Sequence, residues 1–81
     1  MRLRELSLAG TGVNARGLEE LKALAKLERL NLLGCKQLRD DAAAVLAGFR
    51  QLRVLDLTDS GLTAKGVERL RASLPECEVV W

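Results

Sequence analysis

Few residues of this chain have the chemistry for catalysis or metal binding, and it has no histidine. Two carboxylates stand out. Asp56 and Glu78 fall at matching outward positions of two short apolar segments; on neighbouring parallel strands their backbones would be roughly 5 Å apart. Carboxylates so paired do acid/base work or hold a cation. The competing reading is a solvated column of charge, with Arg53 near enough to offset the repulsion and no deep pocket to shift a pKa. Ser7 and Ser60 lack a histidine base, and Lys65, close after Ser60, falls on a helix rather than beside it. Cys35 and Cys77 form no CxxC, so a zinc site is not expected. Two strands apart, they would sit roughly 10 Å from each other, beyond disulfide reach. Gly10 and Gly12 suggest a phosphate loop, but the Walker spacing and its Lys-Ser/Thr are absent. The sequence therefore assigns no catalytic residue, no cofactor and no metal.

The elements that hold these residues come from an internal repeat. Leu3-x-x-Leu6-x-Leu8, Leu27-x-x-Leu30-x-Leu32 and Leu52-x-x-Leu55-x-Leu57 align at offsets of 24 and 25 residues. Each is followed by a small polar or sulfur residue (Thr11, Cys35, Ser60) and then an apolar one (Val13, Leu38, Leu62). Leu6 and Leu8 share a face at period two, which predicts a short strand. Downstream, Leu18, Leu21 and Leu24 correspond to Ala43, Leu46 and Phe49, then to Val67, Leu70 and Ser73. That spacing predicts a helix face. Asn14 and Thr63 suit the N-caps of the first and third helices, and Asp40 or Asp41 that of the second. The tail, Leu74-x-x-Cys77-x-Val79, repeats the one-four-six spacing two residues early, which would put Cys77 inward at the position of Leu6, Leu30 and Leu55. A parallel strand needs a crossover to return to its sheet, here a helix. One unit cannot bury its own leucines, but stacked units cover one another.

Composition agrees with repeated use of one packing unit. Apolar residues make up 48% of the chain, with one Phe, one Trp and no Tyr; leucine, at eighteen residues, builds the core. Thirteen Lys and Arg against eleven Asp and Glu leave +2, with the signs mixed. A nucleic-acid reader would show a basic stripe and stacking aromatics, and no apolar run approaches membrane-spanning length. Neither a nucleic acid nor a membrane is expected as a partner. The opening residues lack the apolar stretch of a signal peptide, and two distant cysteines make no disulfide framework, so a cytoplasmic location is expected.

Leu27-Glu28-Arg29-Leu30-Asn31-Leu32-Leu33-Gly34-Cys35-Lys36-Gln37-Leu38 resembles the cysteine-containing, ribonuclease-inhibitor-like class of leucine-rich repeats. The other units look like relatives with Thr11 or Ser60 in place of the cysteine. The stretch from Thr63 to Val79 is similar to the last repeat of bacterial proteins of this type. The resemblance implies an α/β leucine-rich-repeat solenoid: a right-handed βα arc, parallel strands concave and helices convex. Repeats 1–26, 27–51 and 52–73 and a closing strand 74–81 would make one domain. Cys35 would be the buried turn residue of its repeat. Proteins of this kind bind other proteins through the concave face. Some eukaryotic relatives are substrate receptors joined to an F-box; with no room for one in these 81 residues, a ubiquitin-ligase function is not expected to carry over.

On that face alternation places Glu5, Ser7 and Ala9 in strand one, Arg29, Asn31 and Leu33 in strand two, and Val54, Asp56 and Thr58 in strand three. Glu76, Glu78 and Val80 follow in strand four. The expected central column runs Ser7, Asn31, Asp56, Glu78, with Leu33 and Val80 together in the next. Apolar spots ringed by polar groups are a common form of protein interface. The expected function is a non-enzymatic protein-binding module using Glu5, Ser7, Arg29, Asn31, Leu33, Val54, Asp56, Thr58, Glu78 and Val80. The alternatives are a unit that self-associates, as a homodimer or stack, through an uncapped first strand, and a fragment or idealised scaffold with no ligand of its own. Trp81 is expected to cap the core of the last strand.

Overall fold

A computed structural model of the chain describes residues 4–23 and 26–81. Leu3 and Leu24, which the repeat assigns to the core, lie outside the described residues. Strand and helix alternate: β1 (Glu5–Ser7), α1 (Ala15–Glu20), β2 (Arg29–Asn31), α2 (Asp40–Leu46), β3 (Val54–Asp56), α3 (Ala64–Ser73) and β4 (Glu78–Val80). A single 3-10 turn, Leu21–Ala23, extends α1. The strands form one parallel sheet in chain order, and the helices return the chain to it.

The period-two pattern sets which side of the sheet each residue faces. Leu30, Leu32, Leu55 and Leu57 point inward and are almost wholly buried. The helices meet them with Leu18, Ala42, Ala43, Leu46, Val67 and Leu70, spaced three and four apart as one helical stripe requires. Full burial of a leucine contributes about 1.5–3 kcal/mol, so this two-layer core supplies most of the driving force. Coverage is uneven. Leu6, Leu8, Val13 and Leu21 of the first unit are only half-buried, whereas their counterparts in the second and third units are inside.

Turn chemistry repeats with the strands. Gly10 and Gly34 take positive φ (72° and 74°), and Asp59 takes the equivalent place at φ 58°. After each strand an amide closes a tight turn: Thr11 N donates to Leu8 O, Cys35 N to Leu32 O and Ser60 N to Leu57 O, each at 3.1 Å. Cys35 is fully buried, and its thiol donates to Leu8 O of the preceding unit at 3.0 Å. It thus satisfies a backbone carbonyl, as the repeat reading expects. Gly61 packs against the preceding turn: a Cβ there would lie 2.6 Å from Leu38 O and 2.8 Å from Lys36 O.

Asn14 and Thr63 cap α1 and α3, accepting from Gly17 N and Gly66 N. The middle helix departs from expectation. Arg39 occupies the N-cap of α2 with no side-chain bond, and Asp40 and Asp41 lie inside its first turn. Asp40 turns to the next unit, accepting from Thr63 N at 2.8 Å and Thr63 Oγ1 at 2.5 Å. A cross-unit clasp replaces the local cap. The Thr63 hydroxyl and then its amide hold the Asp40 carboxyl below its ordinary pKa.

The fourth strand corrects the sequence reading most. Val79 pairs with Leu55, Glu78 with Val54 and Val80 with Asp56. Val79, not Cys77, therefore takes the inward position, and Cys77 is left half-buried before the strand. Burial, then the neighbouring Glu78 charge, pushes the Cys77 thiol pKa up. β4 keeps the regular spacing, Val79 lying 24 residues after Leu55 as Leu30 lies 24 after Leu6; the one-four-six match at Cys77 falls two residues early, in the Leu74–Cys77 turn, which Cys77 N closes by donating to Leu74 O at 3.0 Å. Trp81 does not cap the core: it is 51% exposed.

Candidate functional site

The sheet face away from the helices carries two complete columns. The first is Glu5, Arg29, Val54 and Glu78; the second is Ser7, Asn31, Asp56 and Val80. Glu78 thus moves out of the central column. Asp56 and Glu78 are not opposite one another, so the structure does not form the carboxylate pair considered for acid/base or cation chemistry. Arg53 makes no ion pair with either among the described residues. Val80 leaves the expected column of Leu33 and stands beside Asp56. Glu76 precedes β4, outside the paired register.

One open depression of about 490 Å³ lies on this face, lined by Glu5, Ser7, Arg29, Asn31, Val54 and Asp56, together with Leu6 and Leu30 between them. A local device fixes the central column. Each outward polar side chain bends to the amide two residues on. Ser7 Oγ accepts from Ala9 N at 3.5 Å, Asn31 Oδ1 from Leu33 N at 3.0 Å and Asp56 Oδ1 from Thr58 N at 2.9 Å. The Thr58 hydroxyl adds a second bond to Asp56 Oδ1 at 2.6 Å. These bonds occupy one oxygen each of Asn31 and Asp56, leaving the Asn31 amide nitrogen and Asp56 Oδ2 to other partners. At the first column Arg29 reaches Glu5 at 3.6 Å, both side chains mostly exposed; such a pair is weak.

Apolar exposure borders these groups. Leu33 is 42% and Val80 37% exposed, and Val54 is half-buried. The arrangement offers hydrogen-bonding groups held at the spacing of adjacent strands, with aliphatic surface between and beyond them. Of the predicted residues, the structure brings Glu5, Ser7, Arg29, Asn31, Val54 and Asp56 into one depression. Leu33, Thr58, Glu78 and Val80 do not line it; Glu78 and Val80 stand beside Val54 and Asp56 on the next strand. Leu6 and Leu30 also line the depression, although their side chains pack into the core: they lie between the outward residues of β1 and β2. Among the described residues no group of three or more Cys, Asp or Glu side chains is placed to hold a metal. Nor is any described helix long and apolar enough to cross a membrane.

Residues 50–70 match the family model for the Leucine Rich repeat. The matched stretch contains β3 and most of α3 and supports a leucine-rich repeat protein. No curated protein matches the chain.

Proposed function

We propose that the chain is a protein-protein interaction module that binds a partner protein through the open sheet face. Leucine-rich repeats generally mediate protein-protein interaction and are typically non-enzymatic, and the parallel α/β architecture is consistent with them. The reading assigns residues 1–81 to one right-handed solenoid domain of the ribonuclease-inhibitor-like class, similar to bacterial members. Its units are 1–26, 27–51 and 52–73, with 74–81 as closing strand. It acts in the cytoplasm without a cofactor. The binding residues are Glu5, Ser7, Arg29, Asn31, Leu33, Val54, Asp56, Thr58, Glu78 and Val80.

The observation that carries this reading is the depression itself. It gathers outward side chains from three successive strands, with polar groups already oriented by their own backbone and aliphatic groups between them. Preoriented groups lose less entropy on binding. The test is affinity capture from the source lysate with the wild type beside an Asn31→Arg/Val54→Asp double variant, circular dichroism confirming an unchanged fold. A partner held by the wild type and lost by the variant is the expected result. Identical captured sets would remove the sheet face as the binding surface.

A second reading is favoured by the half-buried Leu6 and Leu8. Among the described residues β1 pairs on one side only, and such an edge recruits another strand. A second copy stacked there would bury both leucines. A molecular mass that rises with concentration, measured by sedimentation, would support this alternative.

A further inference from the structure

The register of β4 changes the chemistry of the sheet face. With Val80 rather than Glu78 opposite Asp56, the Asp56 carboxylate is flanked by Asn31 on one side and an aliphatic side chain on the other. Val54 lies two residues earlier on its own strand and therefore on the same face. Asp56 Oδ1 is engaged twice by Thr58, which fixes the carboxylate plane and leaves Oδ2 as acceptor. Among the described residues no Lys or Arg lies within ion-pair distance of it. The depression holds Glu5, Arg29 and Asp56 as its charged lining. Arg29 is matched by Glu5, so one negative charge remains, on a chain whose net charge is +2. Glu78, opposite Val54, adds a second negative charge at the margin. An acidic partner would meet an arginine already paired and a carboxylate that repels it.

We propose that the partner presents a lysine or arginine beside an aliphatic residue, its cation on Asp56 Oδ2 and its methylene stem along Val54 and Val80. Long basic side chains bury their stems on apolar surface while the charged head stays polar, and Val54 and Val80 supply that surface. The free amide nitrogen of Asn31, one strand away at about 4.8 Å, donates to a backbone carbonyl of the same segment. This inference rests on the sheet-face reading and adds the chemistry of the partner to it.

A random dodecapeptide phage library selected on the wild-type chain tests it, with affinities of selected peptides measured by fluorescence anisotropy. The expected result is enrichment of Lys or Arg next to Leu, Ile or Val. Replacing that basic residue by norleucine should weaken binding about tenfold, the scale of one charge-assisted hydrogen bond. Asp56→Asn keeps an Oδ1 to accept from Thr58 and removes only the charge. It should weaken the parent peptide about tenfold and leave the norleucine peptide unchanged, so that the two changes are fully coupled. Peptides without a basic residue, or no coupling, with binding still abolished by Asn31→Arg/Val54→Asp, would overturn the basic-residue proposal and leave the sheet face standing. Peptides indifferent to that double variant, or no selected peptide at all, would count against both.

Discussion

Leu6, Leu30 and Leu55 occupy the same position of successive strands and face one another in register, so one substitution made at all three separates repeat chemistry from tertiary coverage. Leu30 is 2% and Leu55 0% exposed, whereas Leu6 is half-buried. Leucine to alanine in a closed core loses transfer free energy and leaves a cavity, together about 3–4 kcal/mol at well-packed sites. At Leu6 the space opens to solvent, the cavity contribution disappears and only part of the transfer energy was present. The expected cost there is about 1–2 kcal/mol. For 81 residues the total stability is about 4–12 kcal/mol, so Leu55→Ala removes a large share of it. With a urea m-value of about 1 kcal/mol/M, the unfolding midpoint should fall by about 3 M for Leu30→Ala and Leu55→Ala. Leu6→Ala should lower it by about half as much or less. Urea titrations followed by circular dichroism at 222 nm would measure this. Equal costs at Leu6 and Leu55 would refute the reasoning, because they would mean that something covers the first unit in solution. A Leu6→Ala cost that grows with protein concentration would identify that cover as a second copy.

Two further outcomes follow from side-chain and backbone geometry. Gly61→Ala should destabilise by about 1–3 kcal/mol, the range for overpacking. Its Cβ would press on two backbone carbonyls that cannot swing aside, whereas Gly12→Ala, with nothing within 4 Å of the added carbon, should stay within about 0.5 kcal/mol; thermal melts of the pair check this. Asp40 has its pKa lowered in the fold by the bonds from Thr63. A depressed carboxyl contributes stability that is complete above its unfolded value and is lost as pH falls through the folded one. The melting temperature should therefore drop below pH 3.8, the ordinary value of this group. The drop should be shallower in Asp40→Ala; parallel pH profiles for the two proteins would show that the clasp contributes nothing.

Much of this protein was set locally and is visible in the sequence alone. The 24- and 25-residue offsets of the leucine triplets determine that strand and helix alternate. Period-two spacing determines that Leu30 and Leu55 turn inward while Asn31 and Asp56 turn outward, since side-chain direction along a strand depends only on parity. Asn14 and Thr63 cap their helices through bonds to amides three residues on, an interaction that needs no distant partner. Column membership is a different kind of fact. The face shown by Glu78 and Val80 follows from parity, but which of them stands beside Asp56 depends on the path length between α3 and β4. That length keeps Val79 24 residues after Leu55, with the Leu74–Cys77 turn lying ahead of the strand. A spacing of one, four and six pointed to Cys77, whereas the repeat offset of 24 counted from Leu55 reaches Val79, the better signal. The Asp40 carboxylate is claimed by donors 23 residues away, a pairing that exists only once α2 and α3 pack side by side. Local periodicity specifies a residue's face; only the folded stack specifies its neighbours, because those neighbours come from other units.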